Sequence, residues 1–455
     1  MRGPRIGEMC ARAARAAWSG PNARNTAAGA TAAIASSLVA LITYPLSLHH
    51  LGPSAFGLWL LITTPLTVVQ INNIGFSPAL GSLIANDHAA RDYAGVAAHL
   101  TNALLLMLTA AAVGITALGF GAPYLARILR IPASQTPAFV LYQRLIGLVV
   151  SYALIVEVFN AVLAGAQRFD LAVRNSIAGQ LTGLTAMFGF LTAGMKLSAL
   201  LAGSALSYMV MHALTMRELK RLGLLKVDHA VDIARMRALL SYGKTVALAS
   251  LLGIAVAPMN RFCLSRCGGL SAISQLDSAF LPSTRLRSVI DCGLRPYYLR
   301  ASYLAGAPRG RTSAELRRVE KKTLIVFGLG SLALFGGGIA LARPALNTWL
   351  GKSFDETIVC PFRLCLAGAL MTSLTLPAQY TLLAVRKTTL CIGIASIVPV
   401  VHALVLTALF AMRRRLSPSD VATSIALACA AQSAVLLGHI IHCRTGRVRQ
   451  SPGAP

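Results

Sequence analysis

The stretch Thr284–Arg295, which reads TRLRSVIDCGLR, places three arginines and one aspartate in a strongly apolar chain. A charged group at the centre of a bilayer costs several kcal/mol. On a helix, Arg287, Asp291 and Arg295 are spaced i, i+4 and i+8, so Asp291 can reach an arginine on either side. One aspartate cannot balance Arg285, Arg287 and Arg295. The stretch therefore predicts either a partly neutralised ladder near the interface or a binding site for an anion.

Other charged residues at membrane depth show the same imbalance. The cations at or within apolar segments are Arg24, Arg144, Arg168, Arg174, Lys244, Arg261, Arg285, Arg287 and Arg363. Ionisable groups inside a membrane normally face the interior of a helix bundle or a wet cavity. Because arginine binds phosphate through two parallel hydrogen bonds, this balance predicts a cationic cavity that attracts a phosphorylated anion. For each single residue, a position at the membrane interface is the alternative.

Acids at membrane depth are few, and they are Glu157, Asp277 and Asp291. Glu157 stands alone within the apolar run SYALIVEVFNAVL. Because burial disfavours a charged carboxylate, Glu157 is expected to be paired or protonated. These three acids are candidate sites for a coupling proton or cation, and the alternative is a hydrogen bond or ion pair that fixes helix packing.

Membrane-spanning helices must position these side chains. The chain has 455 residues, of which 55% are hydrophobic and 13% are charged, and its mean hydropathy is +0.65. The sequence predicts an all-α polytopic membrane protein with about twelve spans, since apolar runs of about 20 residues recur along it. The predicted spans are 27–48, 56–85, 95–123, 139–164, 171–194, 197–216, 241–263, 272–294, 323–346, 358–383, 388–411 and 420–442.

The two halves of the chain repeat one another. Asn73–Pro78 and Asp291–Pro296 both read [N/D]-x-G-x-x-P, and two further pairs of segments keep nearly the same separation. About six spans lie between matching positions, an even number, so both halves are expected to have the same orientation. The repeat predicts two six-helix lobes related by a pseudo-two-fold axis along the membrane normal, as in secondary transporters with a substrate site between their halves.

Charge sets the predicted topology and the domain organisation. The net charge of +27 is dispersed between apolar runs, which argues against nucleic-acid binding and is typical of cytoplasmic loops. It predicts cytoplasmic N- and C-termini, although Arg413–Arg415 would then lie outside. The predicted parts are a basic tail (1–26), an N-terminal lobe (27–216), a basic amphipathic linker (217–240), a C-terminal lobe (241–442) and a tail (443–455).

The sequence lacks the patterns of an enzyme. The cysteines fall mostly within or beside apolar runs, and Cys263 and Cys267 have no histidine or acid at a zinc-like spacing. No glycine loop that cradles phosphates with a Lys-Ser or Lys-Thr ending is present. We therefore expect no metal, no cofactor and no ATP-driven step.

The order and spacing of several motifs resemble the polysaccharide-unit flippases of the multidrug/oligosaccharidyl-lipid/polysaccharide exporter superfamily, also called Wzx-like oligosaccharide flippases. The resemblance covers roughly residues 22–440. The motifs are Leu51–Pro53, Phe56–Trp59, Asn73–Gly75, Gly165–Asp170, Pro258–Arg261 leading into Gly268, Leu350–Gly351 with Phe354, and Pro377–Arg386. This chain has Asn73 and Asn260 where the family often has aspartate, so a coupling scheme based on those positions does not carry over.

The resemblance implies an inner-membrane flippase of bacteria that moves undecaprenyl-diphosphate-linked oligosaccharides for O-antigen, capsule or exopolysaccharide by alternating access. The expected diphosphate site comprises Arg24, Arg144, Arg168, Lys244, Arg261, Arg285, Arg287 and Arg295. A proton or cation gradient would drive transport, and a polysaccharide polymerase and glycosyltransferases would be partners. The alternatives are a multidrug antiporter, which calls for an acidic and aromatic cavity, and a non-transporting scaffold for glycan assembly.

Overall fold

The structure is a computed structural model that describes residues 21–74, 76–225, 232, 233, 235–237, 239, 252, 254–306, 312–385, 387–412 and 415–448. These residues form helices and connecting turns, and no strand occurs among them. The all-α class predicted from hydropathy is therefore confirmed.

The helices of the described residues are, in chain order, α1 (Pro21–Ile62), α2 (Thr67–Ile74), α3 (Phe76–Ala89), α4 (Tyr93–Ile128), α5 (Thr136–Gly165), α6 (Phe169–Thr192), α7 (Leu197–Arg221), α8 (Val256–Cys267), α9 (Leu270–Gly306), α10 (Thr312–Ser331), α11 (Gly337–Ala340), α12 (Ala342–Leu350), α13 (Val359–Ala384), α14 (Thr388–Met412) and α15 (Pro418–Val448). Short 3₁₀ turns lie at Thr64–Leu66, Gly351–Ser353 and Glu356–Ile358, and a π turn lies at Leu332–Gly336.

Eight helical stretches in the described part of the chain are long and apolar enough to cross a membrane. They are Thr31–Ile62, Tyr93–Ile128, Thr136–Gly165, Leu197–Arg221, Arg318–Ala340, Glu356–Ala384, Thr389–Met412 and Pro418–His439. The chain is thus a multi-pass membrane protein. Helix α9 is 37 residues long, and its charged stretch lowers its hydropathy. The count of twelve spans stays a prediction.

The first helix differs from the predicted pattern, because α1 joins the first predicted span to the start of the second. A kink at Gly52 replaces the expected loop, and Gly52 adopts φ 77° and ψ 165°. Glycine tolerates this positive φ, and the following Pro53 disfavours the helical conformation at the residue before it. The local chemistry of Gly52-Pro53 therefore bends the chain without ending the helical run.

The described residues fall into two compact units. The first unit comprises Met1–Thr43, Ile62–Arg127 and Pro132–Ser250, and the second comprises Tyr44–Leu61, Ile128–Ile131 and Leu251–Pro455. The C-terminal part of α1 therefore packs with the second unit.

In the first unit, α6 and α7 pack closely because glycines face one another. A methyl group on Gly183 would lie 2.6 Å from the Gly203 carbonyl oxygen and 2.8 Å from the Ser207 Cβ. Small residues let helix backbones approach within a membrane, where dispersion contacts drive association.

In the second unit, α9, α13 and α15 form the core. Leu294, Tyr297 and Ala301 of α9 are buried against Leu376 and Ala384 of α13. At the other end of α9, the Gln275 side-chain amide donates a hydrogen bond to Asp355, at 3.1 Å. The backbone N–H of Thr357 donates to the same carboxylate and holds the pKa of Asp355 below its usual value.

We predict that replacing glycine by alanine lowers the stability of the protein at Gly183 but not at Gly189, both in α6. Gly183→Ala should destabilise the protein by about 1–3 kcal/mol, because the added methyl group meets the backbone of α7. Gly189→Ala is the matched control, since a Cβ at Gly189 meets nothing within 4 Å. The control should be neutral or stabilising by up to about 1 kcal/mol, because alanine favours the helix. Thermal unfolding in one detergent measures both, and equal melting temperatures would contradict the packing argument.

Candidate functional site

Two predicted site residues form an ion pair in the second unit. Arg261 of α8 donates from Nη2 to Asp277 Oδ1 of α9 at 3.3 Å, and from Nη1 to the Leu60 carbonyl of α1 at 2.9 Å. Only 18% of the Arg261 side chain and 12% of the Asp277 side chain is exposed. The arginine expected to bind an anion and the aspartate expected to carry a coupling ion thus neutralise one another. Such a pair is sensitive to the loss of either partner.

An aromatic cluster holds α1 beside this ion pair. The Tyr44 hydroxyl donates a hydrogen bond to the Ser274 carbonyl at 2.6 Å, one turn before Asp277. The Tyr44 ring lies edge-on to Phe56, with 4.8 Å between centroids, and stacks on Trp349 at 5.5 Å. The cluster joins positions far apart in the chain, so no local sequence signal identified it.

Arg287 lines a cavity of about 220 Å³ within the second unit. The wall near it has neutral polar groups, among them Thr284, Thr372, Gln379 and Gln432. Among the side chains that the structure describes, none forms a hydrogen bond or an ion pair with Arg287. A guanidinium that lines a cavity together with neutral hydrogen-bonding groups, and has no counter-ion among the described side chains, is a suitable site for an anion. The full lining is Leu252, Val256, Phe280, Ser283, Thr284, Arg287, Cys365, Ala369, Thr372, Gln379, Ala395, Val398, Pro399, Ile425, Cys429 and Gln432.

Asp291, the acid of the opening stretch, has a hydrogen-bond partner on a neighbouring helix. The Tyr380 hydroxyl of α13 donates to Asp291 Oδ1 at 2.9 Å, and Asp291 is not paired with Arg287 within the described residues. Arg285 is partly buried on the same helix as Arg287. The hydrogen bond between Tyr380 and Asp291 joins α9 to α13, and among the described side chains Asp291 does not neutralise Arg287.

Two predicted arginines of the first unit bind other groups of the protein. Arg144 is exposed, and its Nε donates to the Gly119 carbonyl at 3.0 Å. Arg168 precedes α6 and its Nε lies 3.4 Å from Asp170 Oδ1, with 37% of its side chain exposed. Both contacts are compatible with positions at the surface of the unit.

Glu157 ends a hydrogen-bonded network that joins α5, α6 and α7. The Asn160 amide lies 3.5 Å from Glu157 Oε2, and the Thr215 hydroxyl donates to Asn160 Oδ1 at 2.9 Å. The Asn175 amide extends the network to Thr215 at 3.4 Å. The carboxylate thus has neutral polar neighbours, and the three residues beyond it went unnoticed in the sequence because hydrogen bonds between helices leave no local pattern.

The other predicted members of the diphosphate site lie wholly or partly outside the described residues. Lys244 is not among them, and the side chains of Arg24 and Arg295 are not described, although their backbones lie in α1 and α9.

The chain belongs to the polysaccharide biosynthesis protein family, whose model matches residues 23–291. No curated protein matches it. The resemblance drawn from the sequence motifs is therefore confirmed at the level of the family.

Solved structures show the fold. An inward-facing multidrug resistance transporter of the MATE family, in the MOP superfamily, is 14% identical, with 93% of this chain and 96% of that one covered and a TM-score of 0.70. The inward closed lipid II flippase MurJ is 14% identical, with 90% and 87% covered and a TM-score of 0.67. A MOP superfamily transporter from Pyrococcus furiosus, described by the reverse polarity of its binding pocket, is 14% identical, with 93% and 97% covered and a TM-score of 0.57. The chain therefore has the two-lobed fold of these transporters and of this flippase.

We predict that Asp277→Asn destabilises the protein by about 3–5 kcal/mol, because it leaves the guanidinium of Arg261 buried without a counter-ion. Asp170→Asn is the matched control, since it breaks the more exposed pair with Arg168 and should cost about 1 kcal/mol or less. Adding Arg261→Gln to Asp277→Asn should recover part of the loss. Melting curves of the three purified variants test this, and an equal loss from both single variants would count against a buried pair.

Proposed function

We propose that the protein is a bacterial inner-membrane flippase that moves undecaprenyl-diphosphate-linked oligosaccharide units for surface polysaccharide, either O-antigen, capsule or exopolysaccharide. The family and the MurJ-like fold support a lipid-linked substrate. The observation that carries the proposal is Arg287, which lines a cavity and has no counter-ion among the described residues.

The diphosphate is the part of such a substrate that a membrane protein must neutralise. In this proposal Arg287 and Arg285 meet the diphosphate first, because no described carboxylate pairs with either side chain. Arg261 joins them only when it releases Asp277, and this exchange links substrate binding to a rearrangement of α8 and α9. Arg24, Arg295 and Lys244 are further members, and Arg144 and Arg168 contribute at the surface of the first unit.

Alternating access follows from differential binding. The diphosphate binds more tightly to the state in which the arginines of the site are accessible. Its release on the other side of the membrane returns the protein to the starting state. The lipid tail stays in the bilayer while the sugar crosses. A proton or cation gradient drives the cycle, and Glu157, Asp277 and Asp291 are candidate sites for the coupling ion. A polymerase and glycosyltransferases act as partners. The termini face the cytoplasm in this arrangement.

A multidrug antiporter for cationic compounds is less well supported. The described lining of the Arg287 cavity contains no acid and only one aromatic residue, Phe280. A cationic drug would be repelled by this wall, whereas a phosphorylated lipid would be attracted to it.

We predict that Arg287→Ala fails to restore surface polysaccharide in a strain that lacks the gene, at normal abundance of the protein in the membrane. A hydrogen bond to a charged group contributes about 1.5–3 kcal/mol, so export should fall about tenfold or more. Lipid-linked units should accumulate on the cytoplasmic side. Arg287→Lys should restore part of the activity, because it keeps the charge and loses the bidentate geometry.

Arg363→Ala is the matched control for this experiment. Arg363 also lies on a helix of the second unit, but it is exposed and donates from Nε to the Ile339 carbonyl at 3.2 Å. Full restoration by Arg287→Ala would overturn the anion site, and normal surface polysaccharide in the deletion strain itself would overturn the flippase assignment.

A further inference from the structure

A fully buried histidine joins three helices of the second unit. His402 of α14 is 0% exposed, and its Nε2 lies 2.8 Å from Asn260 Oδ1 of α8. Its Nδ1 lies 2.8 Å from Ser424 Oγ of α15. Asn260 and Ser424 are buried as well. Both nitrogens of the ring are thus held by neutral groups from different helices.

This geometry satisfies the imidazole in two protonation states. Ser424 Oγ also lies 2.7 Å from the Val421 carbonyl, so its hydroxyl has two possible acceptors. In the neutral ring, Nε2–H donates to Asn260 Oδ1 and the serine hydroxyl donates to Nδ1. In the charged ring, Nδ1–H donates to Ser424 Oγ, and the hydroxyl turns to the Val421 carbonyl. One hydroxyl rotation therefore admits a proton without moving any heavy atom.

The histidine lies between the linings of two cavities. Val256 and Pro399 line the cavity that contains Arg287. Met259 and Ala403 line a second cavity, of about 330 Å³, that also includes the exposed Arg266. Along α14, His402 falls between Pro399 of the first cavity and Ala403 of the second. On α8, its partner Asn260 directly follows Met259 of the second cavity and lies one turn after Val256 of the first. A proton at this position has a cavity on either side.

Charged groups of the neighbouring helices are directed elsewhere. Among the described helices, α8, α13 and α15 pack against α14. Arg261 is bound to Asp277, Asp420 accepts hydrogen bonds from Ser417, and Arg363 binds a backbone carbonyl. Among the described residues, the titratable groups that line the cavities are Arg287, Cys365 and Cys429 in the first and Arg130, Cys263, Arg266 and Cys267 in the second. Within the described residues none of them forms a hydrogen bond or ion pair with the imidazole.

We propose that His402 is a proton-binding site that couples proton movement to transport. Protonation of Nδ1 takes a proton from hydronium and leaves water, and the reverse reaction restores the neutral ring, so no bond between heavy atoms changes. The charged ring is costly in an apolar interior, and a state with more water in the adjoining cavity favours it. The two transport states then differ in proton affinity, which is what coupling requires. The coupling role rests on the proposed flippase function.

The proton site can be tested without substrate. Protein labelled with ¹⁵N-histidine is placed in lipid nanodiscs, and its imidazole nitrogens are followed by NMR between about pH 4 and pH 9. The His402 signals are those absent from His402→Gln, and His50→Gln is a control that removes an exposed histidine. We expect one proton-free nitrogen at high pH and two proton-bearing nitrogens at low pH. A single tautomer across the whole range would overturn the proposal and leave His402 a structural residue.

Asn260→Asp provides a second test that keeps the histidine, in case His402→Gln does not fold. A carboxylate beside Nε2 favours the charged ring, so the pH at which the ring becomes protonated should rise by about 1–3 units. The histidine NMR signal whose titration shifts in this variant is then that of His402. No movement of any histidine signal would overturn the assignment.

The failure of the two proposals can be told apart. A His402 that titrates in a protein without flippase activity overturns the proposed function and leaves the proton site intact. An active flippase whose His402 does not titrate overturns the proton site alone. A pH gradient that accelerates flipping in the wild type, but not in His402→Gln, supports both.

Discussion

The absence of water inside the bilayer is the constraint on which the rest of the structure depends. Each buried charge or polar group must find a partner within the protein, because lipid offers none. The contacts of Arg261 show the result, since its guanidinium takes a carboxylate from α9 and a backbone carbonyl from α1. A charge in this position ties three helices together.

The same constraint gives meaning to side chains with neutral polar groups around them. Arg287 lines a cavity that also contains neutral polar groups, and Glu157 belongs to a network of amides and hydroxyls. His402 is held by two neutral oxygens on its ring nitrogens. Arg261 and Asp277 neutralise one another in this state. We propose that Arg287 binds an anion and that His402 binds a proton.

The fold class and the family could be predicted from the sequence, because hydropathy and motif order are local properties of the chain. The charged surplus of α9 was also visible as a spacing of arginines. The pairing of Arg261 with Asp277 was not, since it depends on how α8 and α9 meet. His402 went unnoticed because an isolated histidine in an apolar run gives no sign of its partners on other helices. The merger of two predicted spans into α1 could have been suspected from Gly52-Pro53, but whether this dipeptide ends a helix or bends it depends on tertiary packing.

The contact between Leu60 and Arg261 has a consequence for how the protein is made. The two residues are 201 positions apart, and Leu60 lies in the short stretch of α1 that packs with the second unit. During synthesis this stretch leaves the ribosome long before its partners exist. The second unit therefore cannot form from the C-terminal half of the chain alone, because it also contains Tyr44–Leu61. If the two halves were expressed from separate genes, Leu60 would be on one product and Arg261 and Asp277 on the other. The two products would have to associate in the membrane before Arg261 could contact Leu60.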